Sequence, residues 1–412
     1  MTVVGPQSGL SSASARRGLR ALLGATGVSS VGDGAFLAAA PLAAAAITRD
    51  PTAVAAVLAA EHLPWVLVSP FAGVYVDRWP KRTTMMIADV LRAGAVGALA
   101  VMVGLGMATV PTIALCAAAI VTGMVFHSAA AEAVVADLTG RDEQLLHTVN
   151  GRLQAANTAG RQLVGPPTGS WSFTITGWLP FVADAVSFLA SAALIAAVPR
   201  QRAEPRAKTR MWPALREGIT YVLGHRNLRT LALLTAAGNV AVNMAMATLV
   251  LYATDPSGLD ITAAAYGLLL SAMAVGGIIG GFLAQHIIGW LGNRLTVTVG
   301  FLVQATTWLV VAATREPVVA GVAVCILWIS IAPVTVVIIG TRQRQTPPKL
   351  LGRVISAYRI VGNGLAPLGA IIGGVVASAW GLRAPMIAAT TILIIAVIPA
   401  VRGLPDGANR SR

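Results

Sequence analysis

The chain has 412 residues, 56% hydrophobic and only 11% charged, where a soluble domain of that length carries about 25% charge. With a mean hydropathy of +0.74, nearly every residue belongs to an apolar run or a short connector, which excludes a separate soluble catalytic domain. The formal net charge of +14 does not point to nucleic acid, because the bases sit in connectors that alternate with apolar runs; anionic lipid headgroups fit that pattern.

The first apolar run, Ala21 to Thr48, follows Arg16, Arg17 and Arg20. It is too long for a signal peptide and lacks a convincing cleavage site. It opens a series of twelve expected spans, at about 21–47, 52–76, 84–107, 111–135, 149–172, 178–198, 228–253, 262–286, 295–313, 317–340, 354–378 and 383–402, since a crossing helix takes roughly 20 apolar residues. The connectors assigned to the cytoplasm hold most of the bases. Those assigned outside hold only Arg49, Arg315 and Arg383. That asymmetry places both termini in the cytoplasm.

Spans 2 and 3 are joined by Gly73-Val-Tyr-Val-Asp77-Arg78-Trp-Pro-Lys81-Arg82. Gly73 permits close helix approach, and Pro80 stops the chain continuing as helix. Asp77 can accept hydrogen bonds from a helix N-terminus or pair with an arginine. Arg78, Lys81 and Arg82 hold the loop inside. Read blandly, this is a positive-inside loop and nothing more.

The longest connector runs from Pro199 to about Asn227. Its first half is polar. Its second, from Trp212, has apolar residues at helical spacing and reads as an amphipathic helix at the inner interface. The connector sets the expected organisation: residues 1–199 as one six-span bundle, 200–227 as a cytoplasmic linker, 228–412 as a second bundle. The halves echo each other. Gly73-x-x-x-Asp77-Arg78 after span 2 matches Gly289-x-x-x-Asn293-Arg294 after span 8, and Gly151-Arg152 with Pro166 in span 5 matches Gly352-Arg353 with Pro367 in span 11. Parallel six-span repeats mark transporters that rock about a midplane site.

The G-x-x-x-D-R-x-x-K-R loop resembles the signature loop between helices 2 and 3 of the major facilitator superfamily. Ser30-Val-Gly32-Asp33, Asp89-Val-Leu-Arg92, Phe181-Val-Ala-Asp184-Ala-Val-Ser-Phe, Leu215-Arg-Glu-Gly218 and Gly352-Arg353 extend the resemblance along the chain, to the drug:proton antiporter branch with its macrolide-efflux and enterobactin-exporter-like permeases. The resemblance implies an all-α membrane protein of twelve helices in two pseudo-symmetric six-helix bundles. Gly165-Pro-Pro-Thr-Gly169-Ser is similar to the antiporter motif, whose core is G-P-x-x-G-G, but Ser170 stands for its second glycine and Arg161 stands where a small residue is expected.

A charge at the centre of a span costs at least ~2.5–3.5 kcal/mol, so each one points to function or pairing. Asp33 in span 1 and Glu61 in span 2 are the proton-carrying candidates; a carboxyl that only braces helices is the plain alternative. Arg161 in span 5 needs a carboxylate, with Asp33 or Glu61 the natural choice, or else binds an anionic substrate group. Asp89 and Arg92, three apart on one face of span 3, are expected to pair with each other or with the signature loop. Asp184 is expected to be structural, because the resemblance makes span 6 peripheral. Asn239 and Asn243, one turn apart in span 7, offer hydrogen bonds to substrate or glue between helices. His127 and Trp328 are cavity candidates for which packing is the commoner role. The two cysteines, Cys116 and Cys325, lie in apolar runs and read as packing residues.

No phosphate-binding loop, metal-ligand spacing or nucleophile set is present, so no enzyme activity, metal or cofactor is implied. The function expected is proton-coupled export of a hydrophobic or amphipathic small molecule by a monomer in the bacterial inner membrane, with protons and lipids as its other partners. Uptake or uniport of a small polar metabolite is the alternative within transport, and a non-transporting sensor or scaffold the alternative outside it. The topology has a direct test. In a protein freed of its own cysteines, a cysteine at Ser257 labels from outside and one at Ala207 from inside; labelling of both from one side overturns the twelve-span reading.

Overall fold

The computed structural model describes residues 12–76, 78–140, 142–200 and 211–403. The regular structure among them is helical: α1 (Ser12–Ile47), α2 (Pro51–Leu67), α3 (Ser69–Val76), α4 (Lys81–Gly104), α5 (Val110–Leu138), α6 (Glu143–Thr158), a π-helical turn (Ala159–Val164), α7 (Gly165–Ile175), α8 (Leu179–Ile195), α9 (Met211–Gly224), α10 (Arg226–Thr254), α11 (Ala263–Ala313), α12 (Pro317–Gln345), α13 (Pro348–Gly364), α14 (Ala366–Trp380) and α15 (Ala384–Gly403). Among the described residues, seven helices are long and apolar enough to cross a membrane. One of them, α11, holds two spans, divided where Gly292 adopts a φ of 73°. Spans 2, 5, 6 and 11 are built from shorter helices, which brings the count to twelve.

The breaks inside spans have a common cause. Proline lacks a backbone N–H and is best placed in the first turn of a helix, where no intrahelical hydrogen bond is lost, although α1, α2, α12 and α15 each hold one further in, at Pro41, Pro64, Pro333 and Pro399. Span 5 restarts at α7 with Pro166 in its first turn, and span 11 restarts at α14 with Pro367 there. The repeat seen in the sequence is therefore a repeat of backbone interruptions. Span 2 restarts at α3 in the same way, with Pro70 in the first turn.

By its contacts the chain divides into two units. Among the described residues, the first comprises 12–39, 67–76, 78–108, 115–140 and 142–200. Its apolar core includes Leu22, Met85, Val134 and Ile195, from α1, α4, α5 and α8. Here α1 lies directly on span 5: a Cβ on Gly165 would sit 2.5 Å from the Gly34 Cα, and one on Gly169 2.5 Å from the Ala35 Cα. Small residues let the two backbones meet, and in a membrane such close packing is a main source of helix association.

The second unit comprises, among the described residues, 40–66, 109–114 and 211–403. A layer of Ala55, Ala59, Ala247 and Ala370 joins α2, α10 and α14. Polar groups finish the contact at one end: Arg49 Nη1 donates to Thr254 Oγ1 at 3.0 Å, and the Thr52 and Ser378 hydroxyls lie 3.1 Å apart. Asp50 precedes α2 and accepts from the Thr52 hydroxyl at 2.6 Å and the Thr52 N–H at 3.0 Å. Those bonds favour its charged form and hold its carboxyl below the usual range. The linker helix expected from Trp212 is α9. It packs on α13, with Gly218 against the Arg353 backbone, an ion pair between Glu217 and Arg353, and the Tyr221 hydroxyl 3.2 Å from the Gln345 carbonyl. The polar first half of the linker, 201–210, lies outside the described residues.

The glycine contacts of this unit are testable. A Cβ on Gly373 would press into the Met244 backbone of α10, 2.9 Å from its Cα, whereas one on Gly277 meets nothing nearer than Trp328 at 3.9 Å. Gly373→Val is expected to cost about 1–3 kcal/mol through overpacking and to lower the thermal midpoint of the detergent-purified protein. Gly277→Ala should leave it unchanged. Equal midpoints for the two variants would show that α10 and α14 are not in backbone contact.

Candidate functional site

The first unit buries a cluster of acidic and basic side chains from four helices. Asp33 comes from the middle of α1, Asp89 and Arg92 from α4, His127 from α5 and Asp184 from α8. Asp89 and Asp184 are 0% exposed, Arg92 2%, Asp33 8% and His127 9%. The three-residue spacing puts Asp89 and Arg92 on one face of α4. Glycines make the room. A Cβ on Gly123 of α5 would fall 2.5 Å from the Arg92 Cγ, and one on Gly32 of α1 would collide with the Asp184 carboxylate and the Ser187 hydroxyl.

Arg92 is the hub. Its Nη2 pairs with Asp33 Oδ1, and its Nη1 lies 3.3 Å from Asp89 Oδ1. Its guanidinium carbon also sits 3.8 Å from the centre of the Phe188 ring, a cation–π contact that strengthens when water is excluded. Asp89 takes two further bonds, from Ser191 Oγ at 2.7 Å and with His127 Nδ1 at 2.8 Å. A carboxylate there requires the proton on Nδ1, so Nε2 of the neutral ring is left as an acceptor. Asp184 Oδ1 accepts from Ser187 Oγ at 3.3 Å. Asp184 Oδ2 and Arg92 Nε have no hydrogen-bond partner among the described residues. Two carboxylates thus share one guanidinium in a buried site, with the Asp184 carboxyl of α8 buried in the same cluster. Removing one partner of such a pair is expensive, while a proton can take the place of a lost cation.

The structure brings only some of the expected residues together. Asp33 pairs with Arg92, so the partnership expected of Arg161 falls to span 3. Arg161 lies in the π-helical turn, with Nη1 2.9 Å from Met124 Sδ. Glu61 is buried in α2 and belongs to the second unit. His127, read as a packing or cavity residue, is a member of the charge cluster. Asn243 donates to the Asn239 carbonyl one turn back, at 2.9 Å, so that amide bonds within its own helix. Trp328 Nε1 is buried with no hydrogen-bond partner among the described residues.

In the signature loop, Gly73 falls in α3, and Lys81 Nζ reaches Asp137 of α5 at 2.6 Å. Trp79 stacks on Phe126, ring centres 6.2 Å apart. Arg78 caps the turn through its backbone N–H, 3.0 Å from the Tyr75 carbonyl, and Arg82 lies in the first turn of α4. Asp77 lies outside the described residues.

Sequence reasoning missed the part played by α8. The signal was present: Asp184, Ser187, Phe188 and Ser191 stand at i, i+3, i+4 and i+7, on one helical face. Asp137 as the partner of Lys81 was also missed, since it lies 56 residues away.

The family model of the Major Facilitator Superfamily matches residues 22–367. Among curated proteins, the multidrug efflux pump Tap of Mycobacterium tuberculosis is 25% identical over 403 residues, covering 92% of each chain. The protein of the same name from Mycolicibacterium fortuitum is 26% identical over 357 residues, covering 82% of this chain and 84% of its own. Among solved structures, a bacterial homologue of the iron transporter ferroportin superposes with a TM-score of 0.73 at 17% identity, covering 94% of this chain and 99% of that one. The nucleoside transporter NupG superposes with a TM-score of 0.70 at 11% identity, covering 92% and 98%. These two likenesses show a shared fold. With most of the chain matched and a twelve-span helical architecture to carry the match, the protein belongs to the Major Facilitator Superfamily.

Proposed function

We propose that the protein exports a hydrophobic or amphipathic small molecule across the cell membrane in exchange for protons, by alternating access. The observation that carries this reading is the buried sharing of Arg92 between Asp33 and Asp89. The names of the relatives, multidrug efflux pumps, support the direction of transport and the class of cargo. In this reading the protein works as a monomer among membrane lipids, with both termini in the cytoplasm. The linker 200–227 joins bundles 1–199 and 228–412.

Asp33 carries the proton. Deprotonated, it holds one end of the Arg92 guanidinium. When a proton arrives on a carboxylate oxygen, the charge that held Arg92 is gone. Arg92 then has Asp89 as its full counter-ion, already within 3.3 Å. Asp89 is held in place by Ser191 and His127, so Arg92 moves between a fixed anchor and a titrating one. That is a two-position element whose balance the proton sets. The signature loop, with Gly73, Asp77, Arg78, Lys81 and Arg82, acts as the latch of one conformation, and Lys81–Asp137 supplies one of its ion pairs.

Asp33→Asn keeps the shape and removes the titration. In vesicles with an imposed pH gradient, it is expected to abolish uphill export of ethidium while passive exchange persists. Wild-type export should collapse when an uncoupler is added. If Asp33→Asn still concentrates ethidium at the wild-type rate, Asp33 is not the carrier, and the role passes to Glu61. Asp89→Asn, with the anchor weakened, should lower the thermal midpoint more than Asp33→Asn does, because Asp89 holds three partners and Asp33 one.

A further inference from the structure

Arg161 occupies an unusual piece of backbone. The π-helical turn Ala159–Val164 ends where the Gly165 N–H reaches back five residues to the Gly160 carbonyl. Pro166 and Pro167 follow, and neither can donate the next helical bond. Turns of this kind are rare and are frequent at functional sites. The backbone here is fixed against α1. A Cβ on Gly34 would lie 2.5 Å from the Arg161 carbonyl oxygen, and one on Gly160 2.7 Å from the Ser30 Cβ. Asn157 Nδ2 also donates to Ser30 Oγ at 3.2 Å. The Arg161 side chain thus leaves from a fixed point.

That side chain is half-buried, and its hydrogen-bond partner is the Met124 thioether, 2.9 Å from Nη1. A guanidinium offers five donors, and a thioether is a weak acceptor. Among the described residues no carboxylate stands within ion-pair distance. Asp33 is taken by Arg92, and Asp184, near enough to feel the Arg161 charge, bonds to Ser187. A cation at this depth with so little compensation is costly unless an anion arrives.

We propose that Arg161 docks the carboxylate of the exported molecule, so that the preferred cargo is an amphipathic acid or zwitterion. The inference rests on the export reading above and names its substrate class. The planar fork of arginine matches a carboxylate through two parallel hydrogen bonds. Met124, beside it, is unbranched and polarizable, and adapts to apolar bodies of different shape. One side chain fixes the charged end of the cargo, and the other tolerates variety in the rest.

The test uses one scaffold in two charge states, rhodamine B, which has a free carboxylate, and its ethyl ester. Binding to the purified full-length protein is followed by fluorescence anisotropy. No pH gradient is involved, so a failure of proton coupling leaves this result intact. Wild type is expected to bind the acid more tightly than the ester. Arg161→Gln should weaken the acid by about tenfold or more, the scale of a lost charge-assisted hydrogen bond, and leave the ester nearly unchanged. Arg161→Lys, which keeps the charge, should retain part of the preference. An equal loss for both dyes in Arg161→Gln, or a wild type that binds neither dye or shows no preference for the acid, overturns the proposal.

Discussion

A charge in hydrocarbon must find its counter-charge inside the protein. That constraint organises the first unit. Arg92 is almost wholly buried, and four helices converge to accommodate it. Asp33 arrives from α1, Asp89 from the same face of α4, and Phe188 from α8 through its ring, while Gly123 of α5 leaves the space. The close approach of α1 to α8 at Gly32 follows from the same need, since a larger residue there would push against Asp184 and Ser187. The helices are apolar enough to enter a membrane in many arrangements. The buried ions select among those arrangements, because most of them would leave a charge unpaired.

Much of the fold is legible in the sequence because hydropathy reports burial in lipid one residue at a time. The twelve spans, the linker helix and the breaks at Pro166 and Pro367 all rest on local properties. The site is less legible because its partners are remote. Asp33 and Arg92 are 59 residues apart, and Ser191 and Asp89 102. Nothing local tells Asp33 to choose Arg92 over Arg161, since each would satisfy the rule that a membrane arginine needs a carboxylate. The choice is made by which helices touch, and small residues such as Gly32 and Gly34 set that. His127 shows the same limit. As a lone histidine in an apolar helix it reads as packing, and only the neighbouring α4 shows that it bonds to Asp89.

The two repeats have diverged in chemistry while keeping their backbone plan. Span 5 and span 11 break at equivalent prolines, and each lies by its glycines on the first span of its own half: Gly165 and Gly169 on α1, Gly369 and Gly373 on α10. Yet where α1 carries Asp33, α10 carries Asn239 and Asn243, one of which bonds within its own helix. The shared plan maintains the packing, and the polar residues in it differ by half. The buried cluster around Arg92 belongs to the first unit, and the second contributes apolar layers, the buried Glu61 and the docked linker helix.

The docking of α9 on α13 bears on how the chain is made. Glu217 and Arg353 are 136 residues apart. A ribosome adds about 5–20 residues per second, so α9 leaves it on the order of ten seconds before its partner exists. During that interval the bed that Gly218 offers to the Arg353 backbone is open, while α10, α11 and α12 are inserted one after another. Completion of the second unit is therefore a late event in synthesis. The linker helix can seat only once the chain has delivered the start of α13, and a ribosome stalled anywhere between the two would hold a half-built transporter with that surface bare.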